Sequence, residues 1–393
     1  MMMENKCLKI VYLTPSLYIA GGVERVLTLK ANYFAEHFGY DITIILTDGR
    51  GKPNAYPLSD KVKVINLDIN FEELWTCSFL KKIWVYLKKQ RVYKRKLTEE
   101  LMRIRPDITV SMLRREINFI NEIKDGSKKV GELHVNRANY RNFSAEETNV
   151  LKQLFSKYWL SGLLRHLKKL DKLVVLTEQD RKAWVELDNV VSIPDPLSFS
   201  PAALSPLKDQ RVVAIARYSH EKGIDLLIKA WSIVEKQTKD WKLCVFGDGD
   251  TRPYEALIDE LHIDRSRCVL HGRTNDVEGE CCQSSLLVLS SRFEGFGMVI
   301  TEAMACGLPV VAFDCPWGPR SIITDGMDGL LVENGNVSQL AGKIIYMIEH
   351  PEERTRMGAN AVIKSARYKI DRLAKDWQQL FESLKSATNS DSD

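Results

Sequence analysis

The chain of 393 residues carries 56 Lys and Arg against 52 Asp and Glu, with 45% hydrophobic and 27% charged residues. That length exceeds one ordinary core and favours two domains, while the composition excludes a disordered chain and no apolar run approaches the roughly 20 residues a bilayer span needs. The net charge of +4 is uneven, because residues 81–96 hold eight bases and no acid and so leave the remainder net negative.

The first apolar run, at 8–13, is short, contains Lys9 and lacks a small-residue cleavage site, so it reads as a β-strand and not as a signal peptide. Short β-branched runs at 10–13, 42–46, 62–67, 108–112, 130–133, 173–176 and 190–193 alternate with longer helical patterns, which is the signature of a mostly parallel sheet. Gly21-Gly22-Val23-Glu24-Arg25 follows the first run and opens a helix. A double glycine marks a tight turn, and the absence of Gly-x-Gly-x-x-Gly there speaks against a nicotinamide-dependent dehydrogenase. His134 follows the run at 130–133, at the edge where such sheets bind ligands, although a lone histidine at a strand end is also a common structural residue.

Residues 81–96 form a helical pattern with Ile83, Tyr86, Tyr93, Leu97 and Leu101 near one face. Basic and aromatic residues together suit an anionic membrane surface, and the stretch 151–170 repeats the combination with Tyr158, Trp159 and Leu160 beside Lys157, Arg165, Lys168 and Lys169. The plainer alternative for both is an amphipathic helix packed on a sheet. No base-stacking or groove-reading motif accompanies the bases, so nucleic acid is not an expected partner.

Ile193-Pro194-Asp195-Pro196 breaks regular structure twice in three residues and places the linker there, dividing a first domain at 1–193 from a second at 194–369. A second alternating series follows at 212–216, 243–246, 268–271, 286–289 and 310–313. The last helix, 370–385, carries Ile370, Leu373, Trp377, Leu380, Phe381 and Leu384 on one stripe and is expected to pack back on the first domain, with 386–393 as a frayed polar tail. The eight cysteines show neither Cys-x-x-Cys nor zinc-ligand spacing and read as buried free thiols of a cytoplasmic protein.

The chemistry concentrates in the second domain. The stretch 290–309, Ser-Ser-Arg-Phe-Glu-Gly-Phe-Gly-Met-Val-Ile-Thr-Glu-Ala-Met-Ala-Cys-Gly-Leu-Pro, starts at the C-terminal end of a strand and runs into a helix whose free N–H groups suit an anion. Gly295 and Gly297 permit close backbone approach, and Glu294 and Glu302, eight residues apart, can address different hydroxyls of one extended ligand. A cap and a solvated surface acid are the bland alternative. Upstream, Arg217 and Lys222 in Ala-Arg-Tyr-Ser-His-Glu-Lys-Gly stand five residues apart across a strand-to-helix turn and can converge on a diphosphate. Asp248-Gly249-Asp250 has the look of a cation site but lies in a glycine turn after a strand and is read as that turn. Cys315-Pro316-Trp317-Gly318-Pro319-Arg320 is unusual in composition and receives no role.

The stretch 290–309 resembles the Glu-x7-Glu motif of the retaining family-4 glycosyltransferases, the group 1 glycosyl transferases of bacterial surface-polysaccharide type, and 216–223 matches their Arg and Lys turn. The resemblance implies the GT-B architecture, an α/β fold of two Rossmann-like doubly wound domains facing across a cleft, the first binding an acceptor and the second a nucleotide sugar. It implies a glycosyltransferase moving a sugar from a nucleotide-diphosphate donor, with a UDP-sugar expected, to a glycan or lipid-linked oligosaccharide in polysaccharide or lipopolysaccharide synthesis. Carried over onto this sequence, it gives Glu294, His134, Arg217 and Lys222 a catalytic part. It gives donor binding to Gly21, Gly22, Arg217, Lys222, Gly247, Gly272, Arg273, Glu294, Gly295, Phe296, Gly297 and Glu302. No metal and no cofactor are expected, and a cytoplasmic location, peripheral on the inner face of the membrane, follows if the basic helices touch lipid. A sugar-nucleotide hydrolase or epimerase of the same architecture, and a non-catalytic sugar-nucleotide binder, are the rival readings.

Overall fold

The computed structural model describes residues 7–76, 79–140 and 162–390. Its strands are short and, apart from the exposed edge strand Lys63–Asn66, mostly apolar on both sides, as strands covered on both faces must be. They form two separate parallel sheets in two units, Met1–Pro194 with Ile370–Asp393, and Asp195–Lys369.

The first sheet has the order β3-β2-β1-β4-β5-β6-β7, built from β1 (Lys9–Thr14), β2 (Asp41–Leu46), β3 (Lys63–Asn66), β4 (Ile108–Ser111), β5 (Lys128–Leu133), β6 (Lys172–Val175) and β7 (Val190–Ser192). Alternation of side chains sends Ile10 and Tyr12 into one core and Val11 and Leu13 into the other. The first of these cores also takes Leu27, Ala31 and Phe34 from the helix Gly22–His37, and Trp377, Phe381 and Leu384 from the helix Ile370–Ser390. The apolar stripe of the last helix is therefore covered within the first unit. That helix continues through Ser390, past the residue at which fraying was expected, because its polar residues extend a helix already anchored by Trp377 and Phe381.

The opposite core receives Tyr93, Leu97 and Leu101 from the helix Phe79–Ile104. Ile83 does not join them; it is exposed, as are Trp84 and Leu87 on the first turns of the same helix. Part of the second basic stretch, 151–161, lies outside the described residues. In its remainder Leu163, Leu167 and Leu170 are buried, whereas Arg165, Lys168 and Lys169 face solvent. Among the described residues no helix is long and apolar enough to cross a membrane.

The second sheet has the order β10-β9-β8-β11-β12-β13, from β8 (Arg211–Ile215), β9 (Lys242–Phe246), β10 (Cys268–His271), β11 (Leu286–Leu289), β12 (Val310–Phe313) and β13 (Gly329–Val332). This is the doubly wound Rossmann order, with its switch point between β8 and β11. The sequence reading missed β13, whose four residues open on a glycine and so give little pattern to see. The thiol expectation holds for Cys244, Cys268, Cys281, Cys306 and Cys315, which are buried and free; Cys7 is exposed and Cys282 half-buried, which corrects it at those two positions, while Cys77 lies outside the described residues.

Candidate active site

Where neighbouring connections run to opposite faces of a doubly wound sheet, a crevice opens at the carboxyl ends of the strands. The loop leaving β8 passes through Arg217 and a 3-10 turn, His220–Lys222, to Gly223, whose left-handed φ of 61° starts the helix Ile224–Gln237. A Cβ on Gly223 would stand 2.1 Å from the carbonyl oxygen of Ser290, so only glycine lets this turn close on the loop leaving β11. The two loops are then laced together. Ser290 Oγ donates to the Lys222 carbonyl at 3.1 Å, the Arg292 N–H donates to the Glu221 carbonyl at 2.8 Å, and the Arg292 guanidinium donates to the His220 carbonyl at 2.7 Å. The same guanidinium grips both carboxylate oxygens of Asp225, at 2.8 and 2.7 Å. Such a fork-to-fork pair fixes geometry as well as charge.

The clamp delivers Lys222 Nζ to Glu294 Oε1 at 2.7 Å, and Ser291 Oγ donates to the same oxygen at 2.6 Å. The Lys222 and Glu294 side chains are 21% and 8% exposed, so the pair is withdrawn from bulk water without being sealed from it. Arg217 stands on the rim, 69% exposed, and donates to Glu221 Oε1 at 3.1 Å. Burial pushes the Glu221 carboxyl up, but its own backbone bond, Ser219 and the charges of Arg217 and Lys222 outweigh that and hold it below the usual carboxylate range.

Gly297, with a left-handed φ of 97°, caps the helix Met298–Ala305, which carries Glu302. The Glu302 carboxylate is buried and accepts from Ser198 Oγ at 2.6 Å. Gly295 is half-buried in the turn before the helix. Phe296 turns its ring inward onto Tyr368, edge to face at 5.6 Å, and so offers a ligand only its main chain. Gly247 has its Cβ position 1.9 Å from the Ala216 carbonyl and donates its N–H to Gly272 at 3.3 Å, which brings the ends of β9 and β10 against the start of the Arg217 turn. Gly272 and Arg273 are exposed there. Asp250 binds Arg252 at 2.8 and 2.7 Å within an exposed turn, and Gly249 bridges to Tyr218.

The first unit gathers a different set of groups. Gly21 caps the helix Gly22–His37, and a Cβ on it would meet Glu24 Oε2 at 2.4 Å, so the Glu24 carboxylate folds back over the turn. Burial raises the Glu24 pKa against its own backbone bond and the charges of Arg114 and His134. His134 Nε2 lies 3.1 Å from Glu132 Oε1, and Glu132 is buried in an ion pair with Lys30. The Lys30 ammonium sits 4.1 Å from the ring centroid of Trp377, within cation–π range. Burial alone would raise the Glu132 carboxyl, but Lys30 and then His134 hold it down to about 2.

The sequence reading missed Ser291, Arg292 and Asp225 in the second unit and Lys30, Glu132 and Trp377 in the first. Ser291 and Arg292 lie inside the quoted motif, whereas the pairings of Ser198 with Glu302 and Lys30 with Glu132 span about a hundred residues and leave no local signal.

Two doubly wound parallel sheets, one bearing an Arg–Lys turn beside a Glu-x7-Glu loop, have the GT-B fold seen in solved glycosyltransferases. The fold matches that of TarM from S. aureus, solved with fondaparinux, alpha-GlcNAc-glycerol and UDP, at a TM-score of 0.75 and 17% identity over 95% of this chain and 99% of that one. Residues 198–363, within the second unit, match the family model for Glycosyl transferases group 1. An uncharacterized glycosyltransferase of Haemophilus influenzae is 27% identical over 376 residues, covering 94% of this chain and 99% of the relative. The poly(ribitol-phosphate) alpha-N-acetylglucosaminyltransferase of Staphylococcus aureus is 29% identical over 273 residues, 67% of this chain and 53% of the relative.

Proposed function

We propose that the protein transfers a sugar, with retention of anomeric configuration, from a UDP-sugar to a hydroxyl of a glycan or lipid-linked oligosaccharide during synthesis of a cell-surface polymer. The observation that carries this reading is the Lys222–Glu294 pair at the switch point of the second sheet, half-open and clamped by Arg292. Lys222 and Arg217 neutralise the diphosphate as negative charge builds on it, and fixed charges near a developing anion are the largest single lever on such a step. Glu302 holds the ribose, and Glu294 with the main chain of Gly295 to Gly297 holds the transferred sugar. Gly247, Gly272 and Arg273 border the nucleotide. We assign no metal or cofactor to the step, because the two bases supply the charge the leaving group needs. The acceptor hydroxyl attacks from the face that the diphosphate leaves: the C1–O bond to phosphate breaks, the C1–O bond to acceptor forms, and the hydroxyl proton passes to the departing phosphate. Gly21, Gly22 and His134 supply the first unit's share of the reaction. The S. aureus relative, named for forming an alpha linkage on poly(ribitol phosphate), supports a polymeric acceptor and, for an alpha-configured donor, the retained configuration.

The test is nucleotide release from a panel of sugar nucleotides, with and without membrane extract as acceptor source, followed by anomeric analysis of the product. Acceptor-dependent release and a product anomer matching the donor are expected, and Glu302→Gln lowers the rate at limiting donor about 10-fold or more. Equal consumption of donor without acceptor sinks transfer in favour of hydrolysis or epimerisation, and binding without any turnover reduces the protein to a sugar-nucleotide binder.

A membrane-linked acceptor fits the surface of the helix Phe79–Ile104. Ile83, Trp84 and Leu87 are exposed at 46%, 65% and 51% beside the exposed bases Lys81, Lys82, Lys88 and Arg91. Lys89, Lys94 and Lys96 are engaged by Ile69, Glu122 and Leu67, so only part of the basic run is open to lipid. Each open base adds about 1 kcal/mol at an anionic surface. Co-sedimentation with anionic but not neutral vesicles is expected, weakened by Trp84→Ala, and equal recovery in both supernatants removes the membrane from the account.

A further inference from the structure

The loop leaving β12, to which no role was attached above, is built as a rigid wall on the Glu294 turn. Arg320 returns to Asp314, its Nε donating at 2.9 and 3.0 Å, and ties the two ends of the loop together. Pro316 and Pro319 restrict the backbone between them. Gly318 presses against the candidate site: a Cβ there would stand 2.7 Å from Glu294 Cβ and 2.7 Å from the Phe296 carbonyl. Cys315 is buried beside Glu294, and burial first, then the Glu294 charge, pushes its thiol up to about 12, which makes it a neutral filler and not a nucleophile.

Between Pro316 and Gly318, Trp317 is held at a φ of 83°. A bulky residue in the left-handed region is a true outlier, since its Cβ crowds the backbone carbonyl, and such strain persists only where the surroundings over-determine it, most often at binding sites. Glycine would occupy the position without strain, yet the chain places its largest side chain there, half-buried at the carboxyl edge of the sheet. What an indole offers that glycine cannot is a broad apolar face with one donor at its rim, the complement of the C–H face and hydroxyl edge of a pyranose.

Resting on the reading that Glu294 addresses the transferred sugar, we infer that Trp317 is a specificity-determining residue for that sugar. The test uses the full-length protein and calorimetric binding of UDP, UDP-glucose, UDP-galactose and UDP-N-acetylglucosamine. The ratio of the UDP dissociation constant to that of a UDP-sugar isolates what the sugar moiety contributes. Trp317→Gly is expected to lower that ratio at least five-fold for the preferred sugar and to level the differences among sugars, with UDP itself bound within two-fold of wild type and the melting midpoint unchanged or raised. Trp317→Phe retains most of the ratio. A ratio within two-fold of wild type in Trp317→Gly overturns the inference, and so does an equal loss for UDP and the UDP-sugars. Glu294→Gln separates the two levels. If it loses the ratio while Trp317→Gly keeps it, only the tryptophan assignment falls; if it keeps the ratio, or the wild-type ratio is one for every sugar, the assignment of Glu294 falls with it.

Discussion

The Lys30–Glu132 pair of the first unit and the Lys222–Glu294 pair of the second, each close to the carboxyl ends of its sheet's strands, are built to opposite ends. Lys30 and Glu132 are each 1% exposed, with the Trp377 ring over the ammonium, whereas Lys222 and Glu294 are 21% and 8% exposed and Glu294 also accepts from Ser291. Burying two charges costs several kcal/mol per ion, recovered only if partner and packing are complete. The first pair is therefore a fixed part of its fold, which sets the surroundings of His134. The second keeps a route to solvent, so a ligand hydroxyl or phosphate oxygen can join or replace one partner with little rearrangement. The same residue types serve stability in one unit and ligand exchange in the other, and burial decides which.

The sharpest way to break that comparison is to delete one buried partner. Lys30→Met leaves Glu132 in the core without its lysine, and a loss of about 3–5 kcal/mol in denaturant unfolding is expected. The double variant Lys30→Met with Glu132→Leu should recover most of it. A single-variant loss below about 1 kcal/mol would show that the pair is not the fixed element described here. Titration sharpens the same point. With Glu132 held to about 2, below its ordinary 4.5, the stability it contributes is present above about pH 4.5 and is lost as pH falls toward 2. Wild type should therefore show a steeper acid loss of stability than Glu132→Gln across that window, and parallel curves would contradict the depressed value.

The half-open pair should respond the other way. Lys222→Ala removes a charge-assisted contact of about 1.5–3 kcal/mol to the donor, so kcat/KM for donor falls about 10- to 150-fold while unfolding free energy changes by no more than about 1 kcal/mol. Less than a two-fold change in donor use would remove Lys222 from the diphosphate site, and a melt as large as that of Lys30→Met would erase the contrast between the two units.

Why the sequence exposed one pair and hid the other follows from where their partners lie. Both members of the second pair sit in loops next to strongly patterned strands, within stretches whose glycines and spacing are informative on their own. Short apolar runs between helical patterns likewise pointed to both parallel sheets, apart from the four-residue β13. Lys30 and Glu132 each look like ordinary residues of a helix and a strand, and only the crossing of β5 beneath the helix Gly22–His37 joins them. Ile83 misled for a related reason: the helical stripe through Tyr86, Tyr93, Leu97 and Leu101 continues back to it in sequence, but the core ends before it does. Periodicity assigns a face, and tertiary structure decides how far along the helix that face is covered.

The smallest expected effect tests whether the rim of the second site is free to exchange partners. Arg217 is 69% exposed and holds Glu221, and exposed pairs contribute about 0.2–1 kcal/mol. A diphosphate arriving at Arg217 competes with that carboxylate, so Glu221→Gln removes a competitor and should tighten UDP binding by about 1.4- to 5-fold at low salt, with the gain shrinking as ionic strength rises. The Glu221 carbonyl, which accepts from the Arg292 N–H, is untouched by the substitution, so the clamp on the lysine turn survives. Weaker UDP binding in Glu221→Gln would mean that the carboxylate aims Arg217 instead of occupying it, and the rim would then be as fixed as the buried pair of the first unit.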